Sequence, residues 1–136
     1  MNGLEQMVLN RVLCKECGEV LISYHRHDYK TCKCPNQTMV DGGNDYQRYG
    51  GHDMSKVDRS ISIYLSDDHE KMRYTAHWGN RGKDGKQPLQ WKCVADMSDQ
   101  HLQAVLDTQT HAPEWMRKIM QTELDNREKT GEHVPD

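Results

Sequence analysis

The sequence predicts an α+β fold, and three patterns carry that prediction. Cys14-Lys15-Glu16-Cys17-Gly18 is answered, after fourteen intervening residues, by Cys32-Lys33-Cys34. Between residues 60 and 95, apolar and polar positions alternate in three short runs, which is the period of half-buried strands. From Ser98 onward the apolar spacing changes to three and four, which is the period of helices. The expected architecture is an N-terminal four-cysteine zinc ribbon over residues 1–53, then a three-stranded antiparallel sheet and two C-terminal helices over residues 54–136, the parts sharing one core.

The ribbon comes first because its chemistry is the most specific. Thiolates two or three residues apart reach one ion at about 2.3 Å when the chain between them turns tightly. Gly18, directly after the first pair, suits such a turn because it takes positive φ without a Cβ clash. Cys14, Cys17, Cys32 and Cys34 therefore read as a closed zinc site, structural because four protein ligands leave no position for water. Iron accepts the same four sulfurs, and four reduced thiols in a β-rich domain are the metal-free alternative. The fifth cysteine, Cys93, shares a strand face with Leu89 and Trp91 and reads as a small buried hydrophobe.

Composition explains why a staple is useful. Only 35% of the 136 residues are apolar, Phe is absent, and Met (8), Tyr (6) and Trp (3) supply much of the bulk. Binding energy at a structural zinc site is folding energy and offsets a thin core. Net charge is −3, so no global basic field draws the chain to nucleic acid. The charge is uneven: −1 over residues 1–53, +2 over 54–98 and −4 over 99–136. The sequence shows no signal-peptide pattern and no run of about 18 apolar residues, so the expectation is a non-membrane protein of a reducing compartment, where cysteines serve metals.

Residues 1–10 read as a lead-in, with Met7-Val8-Leu9 and Val12-Leu13 packing beside the cysteines. Val20-Leu21-Ile22 is a strand, Ser23 to Lys30 a polar loop, and Gln37 to Val40 a second short strand ended by Asp41-Gly42-Gly43-Asn44. Asp45 to Ser55 is a linker. Ile61, Ile63 and Leu65 face one way in the first strand of the sheet; Met72, Tyr74, Ala76 and Trp78 form the second, and Leu89, Trp91, Cys93 and Ala95 the third. Ser98 caps a helix carrying Leu102, Val105 and Leu106. Pro113 opens the next, whose stripe of Trp115, Met116, Ile119, Met120 and Leu124 runs on until Gly131 stops it. Glu132 to Asp136 is a frayed tail.

Outside the cysteines, the candidate partner- or nucleic-acid-binding residues are His25, Arg26, His27, Arg48, Trp78, Arg81, Lys83 and Lys86. His25 and His27 with Asp28 have the residue types of a general-base cluster or a second metal site, but the favoured reading is a solvated loop fixed by hydrogen bonds to the backbone. Arg81, Lys83 and Lys86, with Trp78 and Trp91 at the flanks, have the types that hold a phosphate backbone and stack a base, but the favoured reading is a solvated hairpin loop.

Cys14-Lys15-Glu16-Cys17-Gly18, His25-Arg26-His27-Asp28, Cys32-Lys33-Cys34 and Asp41-Gly42-Gly43-Asn44-Asp45-Tyr46 together resemble a small zinc-ribbon family of tailed-bacteriophage proteins of unassigned function. Residues 78–89 and 96–102 are also similar to stretches of phage reading frames, so the resemblance spans most of residues 11–128. It implies a phage origin, the cytoplasm of a bacterial host cell, and zinc. It carries over no catalytic residue. The expected function is a non-enzymatic interaction protein that binds and inhibits or redirects a host protein of the defence or transcription machinery. The acidic face with Glu123, Asp125 and Glu128 would touch that partner. A nucleic-acid-binding ribbon is the alternative, and a metal-assisted hydrolase or nuclease using His25, His27 and Asp28 is the third reading.

Overall fold

The computed structural model describes residues 6–66, 68–82 and 84–136. They form two compact units, Met1–Leu65 and Ser66–Asp136.

The strands of the first unit run β1 (Met7–Cys14), β2 (Val20–Ser23), β3 (Lys30–Thr31), β4 (Met39–Asp41), β5 (Arg48–Gly50), β6 (Val57–Asp58) and β7 (Ile63–Tyr64). β1 is central and pairs antiparallel with β2, β6 and β7. The expected lead-in is thus the principal strand. Met7, Val8 and Leu9 are all buried, and a strand covered on both faces shows no alternation by which to recognise it. β3, β4 and β5 form a second antiparallel sheet, so Arg48–Gly50 lies in a strand where a linker is expected. Val12, Leu21 and Val40 pack with Cys14 and Cys32 in one cluster, with Cys34, Tyr49 and Val57 against it.

A buried polar side chain ties the two sheets of this unit together. The Asn10 amide donates to the carbonyls of Asp41 and Tyr46 and accepts from Gln47 Nε2. Those bonds satisfy a carbonyl at the end of β4 and one in the loop after it that burial would otherwise leave without partners.

The second unit contains α1 (His69–Thr75), β8 (His77–Asn80), β9 (Gln90–Cys93), α2 (Asp99–Thr108) and α3 (Glu114–Thr130). The expected three-stranded sheet does not form. Ile63–Tyr64 pairs with β1 in the first unit, residues 69–75 are helical, and only β8 and β9 pair. The sequence period is ambiguous here. Met72, Tyr74 and Ala76 alternate, but Met72 and Ala76 are also four apart, and these two are buried while Tyr74 is exposed. Asp68 decides for the helix by accepting from the Lys71 amide as N-cap. The fold is therefore mixed α and β, with three α-helices and antiparallel sheets among the described residues.

The last two helices start and stop where expected. Ser98 Oγ accepts from His101 N, and Gly131 closes α3 at φ +76. Leu102, Val105, Met116, Ile119 and Met120 form their buried faces. The segment after Gly131 is not frayed: Asp99 N donates to Val134 O at 2.9 Å, and His133 Nδ1 meets Asp99 Oδ2 at 2.8 Å.

Candidate metal centre

Two tight turns aim four sulfurs at one point. In the first, Gly18 N donates to Cys14 O at 2.7 Å, with Gly18 at φ +78. In the second, Gln37 N donates to Cys34 O at 3.0 Å, with Gln37 at φ +48. The strands anchor both turns, since Cys14 ends β1, and Cys32, just after β3, donates its amide to Thr38 O at 3.0 Å.

The Sγ atoms of Cys14, Cys17, Cys32 and Cys34 all lie within 4.8 Å of one another. Cys14 and Cys34 are 3.6 Å apart, and Cys32 and Cys34 3.4 Å. A tetrahedron with metal–sulfur bonds of about 2.3 Å has sulfur–sulfur edges of about 3.8 Å. The set is therefore close to tetrahedral spacing, too far apart for disulfides, and all five cysteines are free. These four residues can hold a metal ion.

The thiols differ in their hold on protons. Burial opposes charge on Cys14, but hydrogen bonds from the Thr38 hydroxyl and the backbone of Cys17 and Glu16 more than offset it and bring the thiol down to about 6. Burial and the adjacent Cys32 sulfur push Cys34 up to about 12. A bound cation would remove this competition, because it takes every ligand as thiolate. Cys14 and Cys32 sit in the hydrophobic cluster while Cys17 is exposed, so the site forms one wall of the core and opens to solvent at one corner. Glu16 lies over that corner, 3.8 Å from Cys34 Sγ and 3.2 Å from Lys56 Nζ.

The remaining expected site residues do not gather around it. Asp28 N donates to His25 O, His25 Nδ1 meets Arg26 O at 3.0 Å, and His27 Nδ1 meets Tyr46 Oη at 3.2 Å. His25, His27 and Asp28 thus shape a loop. Among the described residues, the only grouping of three or more Cys, His, Asp or Glu able to share an ion is the four cysteines. Arg48 is paired with buried Asp41 at 2.8 Å. Arg81 and Lys86 lie in the loop between β8 and β9, where Gln87 N closes on Arg81 O and Asp84 accepts from Lys86 N; Lys83 lies outside the described residues. Cys93 is buried, and burial together with the Asp96 carboxylate raises its thiol, which disfavours a nucleophilic role.

The sequence reading missed the second unit's charged core. Glu123 is buried, not part of an exposed acidic face. Arg73 grips both of its oxygens at 2.8 Å, Arg127 binds Oε2 at 2.8 Å and His69 binds Oε1 at 3.0 Å. The readable signal is that Glu123 and Arg127 continue the four-residue spacing of Met116, Ile119 and Met120 into the buried face.

A family model described as a domain of unknown function (DUF7695) matches residues 6–51, which hold both cysteine pairs and β1 to β5. No curated protein and no solved structure matches the chain. No helix among the described residues is long and apolar enough to cross a membrane.

Proposed function

We propose that the chain is a zinc-stapled, non-catalytic protein that acts by binding a protein partner. One observation supports this above others: four cysteine sulfurs, spaced as a tetrahedron and built into the core, make a closed site. Such a site gives a metal no position for substrate or water, and it lends the first unit folding energy. Zinc is the proposed ion because it suits a redox-inert tetrahedral thiolate set.

The resemblance to phage proteins points to a host protein of the defence or transcription machinery as partner, met in the bacterial cytoplasm. Nucleic acid is less favoured, since Arg48 is engaged by Asp41 and the loop cations alternate with Asp84. The test is the elemental content of the chain purified from bacterial cells, measured with whatever co-purifies. One zinc per chain and a stoichiometric protein are expected. A metal-free folded chain overturns the staple; bound nucleic acid released by salt, with a slope of about −0.7 to −0.9 per phosphate, overturns the choice of partner.

A further inference from the structure

The second unit contains a groove of about 730 Å³ between the β8–β9 hairpin and one face of α2. Trp78 and Lys92 line it from the hairpin, and Gln100, His101, Ala104 and Thr108 from the helix. That helical face is about 12 Å long at 1.5 Å per residue, which matches about four residues of extended chain at 3.3 Å each. Gly79 keeps the hairpin wall thin, since a Cβ there would come within 3.0 Å of the Trp91 ring.

One end of the groove already holds an acid. Pro135 and Asp136 line it, and Ser98 Oγ donates to Asp136 Oδ1. Val134 is fastened as an extended segment would be: its carbonyl accepts from Asp99 N at 2.9 Å and its amide reaches Asp99 Oδ1 at 3.3 Å. Lys92 and Asp136 both lie close enough to His101 to act on it electrostatically. The other carboxylate at the groove, Asp96, accepts from Cys93 Sγ. Along its length, then, the groove has an aromatic wall, a lysine, and an end that accepts a carboxylate after a proline.

We propose that this groove binds an extended acidic peptide segment of a partner protein, and that Pro135 and Asp136 occupy its anion end as an intramolecular competitor, held in place through the Val134–Asp99 bonds. The proposal rests on the protein-binding reading above and assigns it a surface. Extended peptides read by main-chain bonds plus side-chain pockets are a recurring recognition mode. A tethered competitor acts at an effective concentration in the millimolar range, so the intact chain should bind such a segment weakly until its own tail is displaced.

The test uses the full chain and a fluorescein-labelled, C-amidated peptide of sequence Thr-Gly-Glu-His-Val-Pro-Asp, read by anisotropy and by the Trp78 indole signal in NMR. Asp136→Lys, at an exposed position, should raise affinity for the peptide about tenfold or more by removing the tethered competitor. Adding Lys92→Glu to that variant should reverse the gain, and a peptide ending in Asn should bind neither protein. Equal binding by intact chain and Asp136→Lys, no effect of Lys92→Glu, or an unmoved Trp78 signal overturns the proposal. Melting curves of each variant confirm that the fold is kept. Metal content is measured on the same samples. Peptide failure with zinc present defeats the groove alone, whereas absent zinc defeats the staple whatever the peptide does.

Discussion

The first unit builds two of its four clustered cysteines, Cys14 and Cys32, and the Asn10 amide into its core, whereas the second places methionines and a carboxylate clasped by two arginines at its centre. Both arrangements answer the same shortage of apolar residues, but with different physics. In the first unit, strands as short as two residues cannot bury enough surface to stand alone, so cysteines able to hold a metal also serve as core. In the second, α2 and α3 have long apolar faces, and the ion cluster fills the space where α1 meets α3. Charge buried this way is costly unless every partner is present, and every oxygen of Glu123 is matched. Metal dependence should therefore be confined to one unit and acid sensitivity should be concentrated in the other.

The largest expected break in that comparison is Cys32→Ser. Structural zinc contributes about 10 to 16 kcal/mol in small domains, as much as or more than the whole stability of about 5 to 15 kcal/mol of a typical domain. The variant should lose zinc and the strand signals of residues 7–64. Next is Glu123→Gln, which leaves Arg73 and Arg127 facing an uncharged group. It should cost the second unit about 3 to 5 kcal/mol in denaturant unfolding, with zinc content unchanged.

Acid should act on the same cluster. Burial opposes charge on Glu123, but Arg73, Arg127 and His69 outweigh it and bring the carboxyl from 4.5 down to about 2. His133 and Arg127 bring Asp99 from 3.8 down to about 2. Groups with depressed folded values stabilise fully above their unfolded values and lose that contribution as pH falls through the folded ones. The second unit should therefore hold its helical signal to about pH 4.5 and lose stability from there toward pH 2, a trend that Glu123→Gln should weaken.

The most local effect sharpens the account of the first unit. Gly43 sits at φ +56, and a Cβ there would lie 2.3 Å from the His25 carbonyl carbon. Gly43→Ala should destabilise this unit by at least the about 2 kcal/mol of a positive φ, and more as the His25 backbone shifts, with the metal retained because the clash falls on the His25 loop and not on the cysteine turns.

What could be read in the sequence depended on how local the signal was. The cysteine spacing, the Ser98 cap and the Gly131 stop each involve a few neighbouring residues with one dominant physical reading, and each stands in the structure. The strand at residues 7–14 and the helix at 69–75 were obscured for opposite reasons. One is buried on both faces and shows no period, and the other fits two periods at once. Glu123 looked like solvated surface because Arg73 and His69, which bind it from α1, meet it only on folding. The groove could not be read at all, since Trp78, Lys92, His101 and Asp136 converge only when hairpin, helix and tail meet.

The most direct test of the metal-centred account is a chelator titration of the purified chain followed by two-dimensional NMR. The account predicts that removing one zinc per chain collapses the amide signals of Val12, Leu21 and Val40 while those of Val94, Leu102 and Met120 stay dispersed. Signals of Val12, Leu21 and Val40 that survive complete metal removal, or a chain that never held zinc yet shows them, would contradict it.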